Sequence, residues 1–346
     1  MKALTSIGAV VRNSLRIDDR HFRFDLSGVE GLALFREYVE LIEWETTSYC
    51  NRTCSFCPNS FIDRLSEKLA MPEAAWQAIL EGLRAVDYRG TIVWSRYSEP
   101  LSERQIIERI RQVRQAAPRA RIAINSNGDY LDADYLRQLE EAGLDRLWLD
   151  VYFPDDEAYD HEAAGRYHDK LLRRIQRSAS LLSRRPELAY RIASEKTEVV
   201  SRVRNVASMK ALDLSDRGGL IQIARQTARF APCYAPYKHL VIDWDGSVVI
   251  CCQLRSDSPA HQGGVVAKIG TNGTGLVDAY VRLAGWRRGL RGYGPKKGPC
   301  ATCNVSEYVS TRLTRSLSRW LSNPRSLLRG GLRLAMRPVL KRKLRY

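Results

Sequence analysis

From residue 41 to about residue 225, short runs of β-branched and aromatic residues alternate with longer stretches whose apolar residues recur at helical spacing. The runs LIEWET (41–46), TIVWS (91–95), RIAIN (121–125), RLWLDV (146–151), LAYRIA (188–193) and LIQIA (220–224) predict buried strands. Between them, PEAAWQAILEGLRAV, opening at Pro72, and SERQIIERIRQVRQAA, with Ser102 placed to cap its first turn, predict helices. Strict alternation of strand and helix predicts parallel strands joined by helical crossovers.

Six such units fall short of a closed eight-fold ring, so residues 40–229 are expected to form an α/β domain, a partial (β/α)6 TIM-like barrel. The texture changes over residues 230–309. CYAPYKHLVIDWDGSVVICCQL reads as two strands turning at Asp245-Gly246, AYVRLAGWRRGL as a helix, and RGYGPKKGPCATC as a Gly/Pro/Lys-rich loop. This predicts a small C-terminal β-hairpin and helix domain. Residues 1–39 form an N-terminal segment, and residues 310–346 a basic helical tail.

The formal charge of +16 suggests a nucleic-acid binder until its location is considered. Residues 310–346 hold 11 Lys or Arg and no acid, which leaves 44 basic against 39 acidic residues before them, a balance of +5. In the tail, Arg325, Arg329, Arg333, Arg337 and Lys341 recur beside Leu328, Leu332, Met336 and Leu340. That amphipathic pattern fits peripheral contact with an anionic membrane face, with no nucleic acid expected. The opening MKALTSIGAVVRNSLRIDDRH lacks a secretory h-region, so a cytoplasmic location is expected, at most peripheral to the inner face of a membrane. In a reducing compartment, the eight cysteines are metal ligands or spare thiols before they are disulfides.

Cys50, Cys54 and Cys57 share one short stretch, and no further cysteine follows until Cys233. A structural metal site is closed by four protein ligands, whereas three leave a metal position open for chemistry. Other polar residues also fall just past predicted strand ends: RYSEPL after the second, NSNG after the third, and Asp150 near the end of the fourth. In parallel barrels that rim is where active sites assemble, although each such residue alone is most simply a turn former.

Taken in order, Cys50-x3-Cys54-x2-Cys57, SEPL, NSNG and Asp150 resemble the radical S-adenosylmethionine (SAM) superfamily. The resemblance implies a [4Fe–4S] cluster held by Cys50, Cys54 and Cys57, with SAM completing its open iron and cleaving reductively to a 5'-deoxyadenosyl radical. It further implies that Phe56 lies beside the adenine, that Glu99 meets the methionine amino group, and that Ser126, Asn127 and, less closely, Asp150 meet the ribose. Tyr97 and Ser98 stand where the family has small residues. Cys233, Cys251, Cys300 and Cys303 resemble the SPASM/twitch extension and imply one auxiliary [4Fe–4S] cluster; four thiolates on zinc are the alternative. One cysteine is left over. Cys252, adjacent to Cys251, is either a hydrogen donor to a substrate radical or an inert buried thiol.

The expected function is therefore hydrogen abstraction from a small-molecule or sugar-like substrate, ending in epimerisation, oxidation or rearrangement, with electrons from a protein such as flavodoxin or ferredoxin. A peptide-modifying maturase is an alternative. A non-catalytic metal protein docking to nucleic acid through the tail is another, from a different class.

Overall fold

The computed structural model describes residues 17–305 apart from 27, 154–156, 158, 185–186, 205–213 and 225. The predicted basic tail, residues 310–346, and the first 16 residues lie outside the described residues. In chain order the elements are α1 (Gly28–Tyr38), β1 (Leu41–Trp44), α2 (Glu73–Ala85), β2 (Thr91–Trp94), α3 (Ile106–Ala116), β3 (Arg121–Ser126), α4 (Ala133–Ala142), β4 (Arg146–Tyr152) and α5 (His161–Ile175). Then follow β5 (Ala179–Ser183), β6 (Ala189–Ile192), β7 (Glu198–Arg204), α6 (Ala235–Lys238), β8 (His239–Ile242), β9 (Ser247–Val249), β10 (Val265–Lys268), α7 (Leu276–Val281) and α8 (Ala284–Leu290).

One ten-stranded sheet runs in the order β10-β9-β8-β1-β2-β3-β4-β7-β6-β5. Its six central strands, β8 to β7, are parallel. This is the partial TIM-like barrel. β1, β2 and β3 pair without offset, Leu41 with Thr91 and Thr91 with Arg121, so the loops that follow them leave from one edge. Trp44 and Trp94 meet edge to face at 5.0 Å, and Trp44 meets Trp76 of α2 at 5.6 Å. Such aromatic pairs add about 0.5–1.5 kcal/mol beyond the area they bury. The buried face of α2, Ala75, Trp76, Ile79, Leu80 and Leu83, repeats at helical spacing against these strands.

Two expected barrel strands are corrected. The run at 188–193 does form β6, but antiparallel between β5 and β7. Only residues 193–197 join β6 to β7, far fewer than the dozen or so that a parallel crossover needs. The run at 220–224 forms turns: Arg217, Gly218 and Gly219 take positive φ before it, and Ile221 and Ala224 bury in a small cluster with Leu214. The fifth and sixth parallel strands are instead β7 and β8. Ser102 is no cap either; it ends a short turn capped by Glu99, and α3 begins only at Ile106.

The hairpin at Asp245-Gly246 is present, with Gly246 at φ 85. Its first strand, β8, pairs parallel with β1, so the C-terminal region extends the barrel's own sheet. Among the described residues, no helix is long and apolar enough to cross a membrane.

Candidate active site

The loop after β1 carries the cysteine triad and is latched at both ends. Arg52 clamps Asp129 through Nε (2.6 Å) and Nη2 (2.7 Å), and Asn51 Nδ2 donates to the same carboxylate at 2.7 Å. At the far end Asn59 Nδ2 donates to Tyr97 O at 2.8 Å. The loop after β2 is fixed by Glu45, whose Oε1 accepts from Tyr97 N and Ser98 N at 2.6 Å each, with Arg64 behind its other oxygen at 3.4 Å. Glu99 then ties the second and third loops. It accepts from Leu101 N (2.9 Å), Ser126 Oγ (2.7 Å) and Asn127 N (2.8 Å). Burial pushes its carboxyl up to about 7, with those three donors pulling the other way.

These loops enclose one open, mostly polar cleft. Cys50, Cys54, Cys57, Phe56, Glu99, Ser126, Asn127 and Asp150 all line it. Every residue expected at the SAM site is therefore brought together. The Ser126 hydroxyl is engaged on both sides, donating to Glu99 and accepting from Gly128 N at 2.9 Å. Phe56 packs at 5.6 Å from Tyr152, and Asp150 has Arg202 at 3.3 Å and Arg204 at 3.7 Å. Asp150 Oδ1 is buried, and its contact with Arg202 is an ion pair without hydrogen-bond geometry.

Tyr97, in a position where the family has a small residue, lines the cleft and donates from its hydroxyl to Gln253 O at 2.9 Å. It is a tie to the C-terminal region.

The second set of thiols also gathers. Burial raises the Cys251 thiol well above its ordinary range, reinforced by the nearness of Cys252, Cys300, Cys303 and Cys233. For the same first reason Cys300 is pushed up to about 12, with Cys303 and Cys233 adding to it, and Cys303 to about 11, with Arg229 opposing and Cys233 adding. Cys251 and Cys252 sit in a turn past β9 and not on the strand, and Cys252 lies near Arg217. Among the described residues, no three His, Cys, Asp or Glu side chains converge on a single metal ion.

The segment 214–217 joins the two thiol sets. Asp216 N donates to Asn304 Oδ1 at 3.1 Å, Asn304 Nδ2 to Leu214 O at 2.7 Å, and Thr302 Oγ1 to Asp216 Oδ2 at 3.2 Å. The next residue, Arg217, lines the cleft near Cys57.

Residues 44–184 match the family model described as the radical SAM superfamily. The chain carries a radical SAM domain. A relative named as the S-adenosyl-L-methionine-dependent 2-deoxy-scyllo-inosamine dehydrogenase of Niallia circulans is 26% identical over 266 residues, 76% of this chain and 92% of the relative. The crystal structure of BtrN in complex with AdoMet and 2-DOIA is 24% identical and superposes with a TM-score of 0.52 over 73% of this chain and 87% of that one. At that identity the likeness shows the fold alone. The protein is an enzyme, and most of its cleft lining lies in the span that matches this family, with Glu43, Arg204 and Arg217 from outside it.

Sequence reasoning missed Arg52, Tyr152, Arg204 and Arg217 in this radical SAM cleft. Tyr152 was findable, since strand alternation puts residues 150 and 152 on one face. Arg217 had no local signal, because its place depends on contacts with residues near 250 and 300.

Proposed function

We propose that the enzyme oxidises a secondary alcohol of a small, sugar-like substrate to a ketone at the expense of SAM. The observation that carries this is the junction at Asp216 and Arg217, which puts a second four-thiol set beside the cleft that holds the first three. The dehydrogenase named among its relatives supports oxidation over epimerisation. The donor sets fit the groups they are assigned. Soft thiols suit iron–sulfur chemistry, three of them at an open cleft for the SAM cluster and four gathered behind it for an auxiliary one. When bound at Cys50, Cys54 and Cys57, the cluster with SAM supplies a 5'-deoxyadenosyl radical able to take a hydrogen atom from a C–H bond. Overall, the alcohol and SAM become the ketone, 5'-deoxyadenosine, methionine and a proton, and the electron that starts the cycle is matched by the one the substrate releases.

The chain's own residues orient this chemistry. Phe56 and Tyr152 form an aromatic wall suited to adenine. Glu99 fixes the geometry of Ser126 and Asn127 at the ribose position and retains a lone pair toward the cleft for an ammonium group. Asp150 lines the cleft and is the residue assigned to accept from a hydroxyl there, with Arg202 and Arg204 balancing its charge. Cys252 lies outside the cleft lining and is assigned a spectator role. Flavodoxin or ferredoxin is the proposed reductant.

The test uses anaerobically reconstituted full-length protein with reductant, SAM and a panel of cyclitols and aminocyclitols. About eight irons per chain are expected, together with a ketone formed in equal amount to 5'-deoxyadenosine that carries deuterium from the labelled substrate. Joint replacement of Cys50, Cys54 and Cys57 by Ala should remove about four irons and all 5'-deoxyadenosine. An epimerised alcohol, lost in Cys252→Ala, would overturn the oxidation reading. About four irons with bound zinc would end the auxiliary-cluster assignment while sparing the SAM site.

A further inference from the structure

Arg229 lies four residues before Cys233 and is only 4% exposed. Its guanidinium donates to carbonyls on two of the three chain segments that carry the second thiol set: Nε to Ala231 O (3.3 Å), Nη2 to Pro232 O (2.9 Å) and Nη1 to Val305 O. Nη1 also donates to Cys303 Sγ at 3.5 Å. The Arg229 backbone N–H donates to Ala301 O at 2.7 Å, between Cys300 and Cys303. One arginine thus ties together the loops that carry Cys233, Cys300 and Cys303.

Its charge is the unusual part. Arginine keeps its proton in proteins, and a buried cation is costly unless a counter-charge is close. No carboxylate pairs with Arg229 among the described residues; the groups acting on it are Cys233, Cys303 and Cys300. As thiols these are neutral and balance nothing. Bound to metal they are thiolates, and the cation then has its partner.

We propose that Arg229 raises the reduction potential of the iron–sulfur cluster assigned above to Cys233, Cys251, Cys300 and Cys303, and so makes that set an electron acceptor for the substrate. The inference rests on that cluster reading. Reduction adds one negative charge to the cluster, and a fixed cation hydrogen-bonded to a ligand sulfur favours the more negative state. Net charge, hydrogen bonds to sulfur and solvent exposure are the terms that set such potentials. In a buried site the interaction is weakly screened. Lys296 provides an internal comparison: its amine is also near Cys233 and Cys300 but is only half-buried, with Nζ bound to Gly292 O at 2.5 Å and, among the described residues, no bond to a cysteine sulfur.

The experiment uses full-length protein with Cys50, Cys54 and Cys57 replaced by Ala, so that only the second set can hold a cluster, and follows its reduced signal by electron paramagnetic resonance in a redox titration. Arg229→Met should lower the midpoint so that the reduced-to-oxidised ratio at a fixed potential falls at least tenfold, about 59 mV for one electron. Arg229→Lys should recover most of the shift, and Lys296→Met should produce far less. If Arg229→Met fails to hold iron, Arg229→Gln decides the matter, because it retains an N–H donor group and loses the charge. A lowered potential in that variant supports the proposal. A full iron complement with unchanged potential in Arg229→Met or Arg229→Gln overturns the role of Arg229 alone. Zinc in place of iron in the parent overturns the cluster reading, and the inference with it.

Discussion

Glu99 concentrates the site's electrostatics in one side chain. It is 2% exposed, accepts three hydrogen bonds and still has its carboxyl raised by burial from 4.5 to about 7. A group whose pKa is raised on folding binds its proton more tightly in the native state. Its stabilisation is therefore complete below pH 4.5 and lost as pH rises through about 7. A shift of that size corresponds to roughly 3 kcal/mol. Urea unfolding of metal-free protein should accordingly show stability declining between about pH 5 and pH 8, and Glu99→Gln should flatten that slope. A slope unchanged by the substitution would assign the titration to other groups. The SAM ammonium prefers the ionised carboxylate, so SAM affinity should rise over the same interval in the native protein and not in the variant.

Between elements, one tight helix contact of the barrel with the C-terminal region runs through Gly82. A Cβ built there would lie 2.4 Å from the Leu276 Cβ, so α2 and α7 can pack as they do only because this position has no side chain. Helix propensity argues the opposite, since Gly to Ala within a helix normally gains up to about 1 kcal/mol. Overpacking costs about 1–3 kcal/mol and arises here from a β-carbon that cannot swing away. Gly82→Ala should therefore destabilise by about 1–2 kcal/mol, read as a lower urea midpoint with unchanged slope. A stabilised variant would mean that α7 shifts freely. From the sequence, Gly82 is an isolated helical glycine with no visible reason, because Leu276 lies far along the chain.

Across the whole molecule, the cleft is braced by a buried ion pair that crosses from the loop after β2 to the end of β8. Arg96, held at φ 86, pairs with Asp243, and both side chains are fully buried. Arg96 also donates to Leu254 O, while Asp243 accepts from Ser256 N. Removing one partner of such a pair leaves an uncompensated buried charge and costs about 3–5 kcal/mol. Asp243→Ala should therefore cost about that much stability and weaken SAM binding, since Arg96 lines the cleft. Equilibrium unfolding and SAM titration by calorimetry measure the two effects separately. Loss of stability with unaltered SAM affinity would show that the brace serves folding alone.

What the sequence determined by itself was local. β1 to β4, the Asp245-Gly246 hairpin and the cysteine triad were legible because strand periodicity, turn chemistry and ligand spacing are written within a few neighbouring residues. The convergence of Cys50, Glu99, Ser126 and Asp150 followed as well, since parallel strands deliver their loops to one edge. Tertiary structure decided which strands complete the parallel set. A β-branched run such as 188–193 announces a strand but neither its partner nor its direction, and the short link to β7 forced it antiparallel. It also decided the roles of Arg217, Arg229 and Gly82, and the gathering of Cys251 with thiols distant in sequence. These depend on burial and charge contributed by residues distant in sequence, and such long-range contacts leave no periodic trace along the chain.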